Sequence, residues 1–166
     1  MINMVKQWHS IEGVWDLMHT EEVRGVPYDR VGLFRLDTLY TNPIDLKDGI
    51  AVVPNWGQSG GLNDRLFYGV RRHAEVWAKG RFRGVPLYMK THTTIHSGTF
   101  MKWLMRDIRP TQKPICLQRV RANNRIQTGD CKPPNQPGTT VVYSGPTALT
   151  NQMYMDNFEY FLKHGL

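Results

Sequence analysis

Val31-Gly32-Leu33-Phe34-Arg35-Leu36-Asp37 is an apolar run that ends on an acid, and its reading decides the fold. A second short run follows, Ile50-Ala51-Val52-Val53-Pro54. Next come the loop Asn55-Trp56-Gly57-Gln58-Ser59-Gly60-Gly61 and the string Leu62-Asn63-Asp64-Arg65. Short apolar runs bounded by turn residues read as buried strands. Each run delivers a carboxylate, Asp37 and then Asp64, to a strand end or to the turn leading into a helix. In open α/β folds that edge is where ligands bind.

Upstream, Met4, Trp8, Ile11, Trp15 and Met18 recur at steps of four, three, four and three. That spacing is one face of an amphipathic helix of roughly 18 residues, closed by Gly25 and Pro27. Its two tryptophans read as core anchors. Downstream, Asn63 or Asp64 is placed to cap a helix running to Lys79, with Phe67, Val70, Ala74 and Trp77 facing inward and Gly80 as its stop. Ser97 is the expected N-cap of a further helix whose apolar face is Phe100, Met101, Leu104 and Met105. Residues 115–120 read as a strand with an arginine-rich exit. Residues 132–146 shift to Pro, Gly, Asn and Thr, a surface loop or extended arm, and 153–162 read as a short aromatic-rich helix. The order helix, strand, strand, helix, helix, strand indicates α/β.

The chain has 166 residues, the size of one domain, enough to bury about two-thirds of its unfolded surface. Its 40% hydrophobic and 21% charged residues are ordinary for a globular protein. No apolar run approaches the roughly 20 residues of a membrane span, and the first residues carry no secretory pattern. The expected compartment is therefore the cytoplasm. Cys116 and Cys131 have no zinc spacing, and without a secretion signal a reduced pair is expected. The net charge of +7 is unevenly spread: residues 1–64 hold five basic and nine acidic side chains, residues 65–131 fourteen and three. A basic middle suits nucleic acid or a smaller anion such as a diphosphate, or is simply a solvated face.

Among individual residues, Asp37 is either an oxygen ligand for Mg or Mn or a turn or helix cap. Asp64 is a base, a ligand for an acceptor hydroxyl, or a helix cap. Arg65 is placed to pair with Asp64 or to hold a phosphate. Gly60 and Gly61 allow close backbone approach to a ligand. His92 and His96 stand four apart, but the β-branched Thr91, Thr93, Thr94 and Ile95 argue for extended chain. A single ligand, His96, joining a carboxylate-bound metal is the more economical reading. Arg71, Arg72, Lys79, Arg81, Arg83, Arg119, Arg121 and Arg125 would serve a nucleic-acid surface, yet no recognition motif accompanies them. Nucleic acid is therefore not the expected partner.

Tyr28-Asp29-Arg30-Val31-Gly32-Leu33-Phe34-Arg35-Leu36-Asp37 resembles a YDxVxxxRxD segment, and Gly61-Leu62-Asn63-Asp64-Arg65-Leu66-Phe67-Tyr68-Gly69 resembles a GLNDRFxxG segment. His96-Ser97, Arg119-Val120-Arg121-Ala122-Asn123 and Asp130-Cys131 follow as further landmarks in the same order. Together they are similar to a group of GT-A-like glycosyltransferases found in plants, algae, fungi and large algal viruses. The resemblance spans about residues 3 to 131; the rest of the chain, 132–166, is an arm and C-terminal helix outside it.

The resemblance implies an α/β fold, a GT-A-like (Rossmann-like) mixed sheet flanked by helices. It implies a nucleotide-sugar donor, a glycan or protein acceptor, and Mn or Mg on the diphosphate. On that reading Asp37 is the last acid of a DxD-like motif and His96 completes the metal shell or touches the diphosphate. Arg35, Asn63, Arg65, Gly60 and Gly61 surround the phosphates or sugar, and Asp64 is catalytic. The chain departs from the pattern in three places. Arg35 stands where the first acid of DxD belongs, and Gly98 follows His96-Ser97 where an acid is expected. The βαβ unit that binds the nucleoside is missing ahead of the first strand, so a truncated sheet, completed by a partner chain or a second copy, is expected. The readings competing with a transferase are a catalytically silent module of the same fold and a basic nucleic-acid-binding protein.

Overall fold

The computed structural model describes residues 2–41, 43–58, 60–120, 126–127, 131 and 149–150. In chain order the elements are α1 (Ile2–Arg24), β1 (Arg30–Phe34), β2 (Thr38–Tyr40), β3 (Ala51–Pro54), β4 (Leu66–Val70), α2 (Arg71–Arg83), α3 (Val85–Met89), β5 (Thr94–Ile95), α4 (Ser97–Leu104), β6 (Thr111–Lys113), β7 (Leu117–Arg119) and β8 (Leu149–Thr150). The main sheet has the order β1-β4-β3-β6. β4 runs antiparallel to both β1 and β3, and β6 lies parallel to β3. Two small antiparallel pairs, β2 with β7 and β5 with β8, complete the strands among the described residues. The expected mixed sheet flanked by helices is present.

Side chains alternate across a strand, and here both faces of the sheet are covered. Ala51, Val53 and Phe67 point into a large core with Trp8, Trp15, Trp77, Phe100 and Met101. Their neighbours Val52, Leu66 and Tyr68 join Trp56 and Leu117 in a smaller core on the opposite face. The periodic face read in the first helix is its packing face: Trp8 and Trp15 are buried, and Trp8 stacks on Phe100 with ring centroids 4.9 Å apart.

α1 and α2 are joined by ion pairs whose spacing fits antiparallel helices. Glu12 pairs with Arg83, Asp16 with Lys79 at 3.4 Å, and Glu22 with Arg71 at 2.5 Å. The uneven charge along the chain is thus in part internal, since acids of the first third face bases of the second. Glu22 also accepts from the Tyr28 amide at 3.1 Å. The Arg71 guanidinium beside Glu22 holds its carboxyl at about 2, well below the ordinary 4.5.

Three expectations are corrected. The helix expected from Asn63 or Asp64 to Lys79 is a strand followed by a helix. Phe67 and Val70 fit a helical spacing with Ala74 and Trp77 by coincidence, while aromatic Phe67 and Tyr68 and branched Val70 favour extended chain. The first amide of α2, Arg71 N–H, is satisfied by the Asp29 carbonyl at 2.9 Å, not by a capping side chain. Ser97 is the first residue of α4 and His96 is its N-cap, without a side-chain bond to the helix end. Cys116 and Cys131 are joined in a disulfide instead of standing reduced; it links the residue before β7 to the chain returning beside it, where Val120 and Ile126 form a bridge. Of the arm expected beyond residue 131, only β8 is described, and it pairs with β5; the loop at 132–146 and the helix at 153–162 lie outside the described residues.

Candidate functional site

A cavity of about 440 Å³ opens where β1 ends. Gln7, Ser10, Ile11 and Val14 of α1 line it on one side, and residues 33–37 run from the end of β1 along another. Asp64 and Arg65, from the turn ahead of β4, and Trp77 and Arg81 of α2 complete the lining. The site thus has an apolar part, built from Ile11, Val14, Leu33, Phe34 and Leu36, and five charged side chains, Arg35, Asp37, Asp64, Arg65 and Arg81.

The local sequence explains how each charge is held. β1 ends at Phe34, and the turn that follows brings Arg35 back onto Asp37. The guanidinium donates to both carboxylate oxygens, at 2.7 and 2.5 Å. Those bonds hold the Asp37 carboxyl below its ordinary range and raise Arg35 above its own. The Arg35 carbonyl accepts from Thr38 Oγ1 at 2.6 Å and from Tyr40 Oη at 3.0 Å, which fixes the turn onto β2. Arg65 is buried with its guanidinium 5.2 Å from the Trp56 ring centroid.

Asp64 accepts a hydrogen bond from the Ser97 hydroxyl at the start of α4. Burial by itself would raise the Asp64 carboxyl. The charges of Arg81, Arg65 and Arg35 and the Ser97 bond outweigh it and hold the group below its ordinary range. Arg81 is only 1% exposed and lies with its guanidinium carbon 4.4 Å from the Trp77 ring centroid. One of its nitrogens donates to the Asp64 carbonyl at 3.0 Å, and its Nε is buried without a hydrogen-bond partner among the described residues. Burial lowers its pKa to about 10, with Arg35 adding to the effect and Asp64 opposing it, so it remains cationic at neutral pH.

Four of the residues expected from sequence, Arg35, Asp37, Asp64 and Arg65, therefore share one cavity. Four others do not line it. Asn63 is fully buried, donating to the Trp56 carbonyl at 2.7 Å and accepting from the Arg65 amide at 3.0 Å, so its amide builds the turn. Gly61 is buried against Gly98: a Cβ on Gly61 would lie 1.9 Å from the Gly98 carbonyl carbon and oxygen. Leu62 N–H donates to that carbonyl at 2.9 Å. The Gly60-Gly61 turn thus closes on α4. The same contact explains the glycine at 98, where a Cβ would meet the Gln58 carbonyl oxygen at 2.7 Å. His96 offers its carbonyl to Thr99 and Phe100 at the start of α4, while His92 stacks on Tyr88 with centroids 3.8 Å apart.

Arg81, expected from sequence only as part of a nucleic-acid surface, instead lines this cavity. Its signal was present: Ala74, Trp77, Ala78 and Arg81 fall at helical spacing on one buried face, and an arginine there calls for a charged partner.

A divalent cation does not fit this donor set. Both oxygens of Asp37 are taken by Arg35, Asp64 lies in the field of the Arg81, Arg65 and Arg35 charges, and an acid at position 98 has no room. Among the described residues no three metal-ligating side chains gather. Comparison with protein-family models, with curated proteins and with solved structures finds no match.

Proposed function

We propose that the cavity binds a nucleoside diphosphate sugar and that the chain transfers the sugar to a hydroxyl of a glycan or protein acceptor. The observation that carries this reading is the meeting of Arg35, Arg81 and an ionised Asp64 at one mostly apolar cavity, with Arg65 also in its lining. Guanidiniums match phosphate oxygens in geometry and charge, and Ile11, Val14, Leu33 and Phe34 offer apolar surface to a ring. The resemblance of the Arg35-Leu36-Asp37 and Gly61-Leu62-Asn63-Asp64-Arg65 strings to glycosyltransferase segments supports the same reading.

In the transfer, the acceptor oxygen bonds to the anomeric carbon while the bond from that carbon to the phosphate oxygen breaks. Its electron pair leaves with the nucleoside diphosphate, where the arginines offset the growing charge. Asp64 orients the acceptor hydroxyl and receives its proton. A carboxyl held below its ordinary range is a weak base, so the proton moves late, once the new carbon–oxygen bond has made the hydroxyl acidic.

Calorimetric titration of UDP and of GDP into the chain tests the binding half of this reading. Saturable binding of one of them is expected, together with donor turnover that Asp64→Asn abolishes. Absence of heat from both nucleotides would overturn it. Binding with no turnover of any donor sugar would leave the cavity to a silent module of the same fold.

A further inference from the structure

Resting on the nucleoside diphosphate reading, we infer that this cavity holds its phosphates without a divalent cation, Arg35 and Arg81 doing what a metal does in sites built on paired carboxylates. In such sites the acids face the ligand through the ion. Here the acids face arginines.

Three observations converge on this. First, Arg35 stands two residues from Asp37 and occupies both of its oxygens. A cation would have to displace that fork and then sit beside the freed guanidinium. Second, the residues that line the cavity include three arginines and two aspartates. A dication adds to an existing positive excess, whereas a diphosphate offsets it. Third, Arg81 is a buried cation whose Nε has no partner among the described residues and whose neighbouring acid, Asp64, is shared with Ser97. Burying a charge without full pairing is costly, and an anion in the cavity supplies the missing counter-charge.

Arg35 has a conditional role in this scheme. Without ligand it holds Asp37; with ligand, its fork is available to exchange the carboxylate for a phosphate of matching geometry. The two arrangements give opposite expectations for the same substitution. If Asp37 carries a metal, Asp37→Ala destroys nucleotide binding. If Asp37 only holds Arg35 in waiting, Asp37→Ala releases a guanidinium and binding is kept or tightened.

The test is titration of UDP and GDP into the full chain in excess EDTA, with Mn, and with Mg, repeated on Asp37→Ala and Arg35→Gln. Both substituted side chains are partly exposed, and circular dichroism checks that the variants fold. The expected result is the same affinity in all three buffers, binding retained or tightened in Asp37→Ala, and a loss of at least about tenfold in Arg35→Gln. Binding that requires Mn or Mg, or that vanishes in folded Asp37→Ala, overturns the inference while leaving the nucleotide reading intact. Absence of binding by the wild type in every buffer overturns the nucleotide reading, and this inference with it.

Discussion

Asp64 does two jobs: its main-chain carbonyl accepts from Arg81 and its side-chain carboxylate accepts from Ser97. Asp64→Asn keeps the shape and removes the charge that opposes the burial of Arg81. A loss of about 1–3 kcal/mol in urea denaturation is expected, and Ser97→Ala should cost about 1 kcal/mol. Gly61→Ala is the sharper test of the turn, because its Cβ would fall on the Gly98 backbone, which cannot rotate away. It should destabilise by at least about 2 kcal/mol; Gly60→Ala meets no atom within 4 Å but places a side chain at φ +78°, so its cost is backbone strain alone, about 1–2 kcal/mol. At this scale the sequence was legible where a charge had somewhere to act. Asp37, Asp64 and Arg65 follow from strand ends and a turn, and Arg35 from the resemblance alone. Asn63 lies outside the lining because its side-chain amide serves the local turn, which composition and spacing do not record, and His96 lies outside it at the start of α4.

Among the elements, α1 is legible throughout, since its Met4-to-Met18 face is the face that packs. Trp8→Ala should cost about 3–5 kcal/mol, removing a fully buried ring from its stack on Phe100. The stretch from Asp64 to Lys79 was not legible. Two consecutive elements, β4 and α2, place apolar residues at intervals that a single helix would also use, and only pairing with β1 and β3 separates them. The α1–α2 interface gives a pH prediction. The Glu22 carboxyl lies lower in the folded chain than in the unfolded one, so the unfolded state binds the proton first. Its contribution is fully present above pH 4.5 and is lost as the pH falls toward about 2. Glu22→Gln should lower stability at neutral pH and flatten the acid limb of a stability profile over that window. An unchanged limb would show that other carboxylates set it.

For the whole molecule, the sheet order was not legible: pattern located β1 and β3, but β4 was read as helix and no strand was read at β6. The disulfide was misread for a different reason: its expectation rested on compartment, and no spacing rule says that residues 15 apart meet. Intact-mass measurement after alkylation of the denatured chain should show no labelling without reductant and two labels with it. Reduction should cost about 3 kcal/mol if loop closure dominates. The cavity, finally, has walls that come from positions 7 to 81 and belong to α1, the main sheet and α2. A molecule seated there stitches the first helix to the sheet as a removable cross-link. Folding and occupancy are then one coupled equilibrium, and a ligand at about a hundredfold excess over its Kd adds about 2.7 kcal/mol. Amide hydrogen exchange along α1 becomes the reporter: its slowest protons slow further when the right compound enters, which turns the helix into a sensor for screening donors before any reaction has been seen.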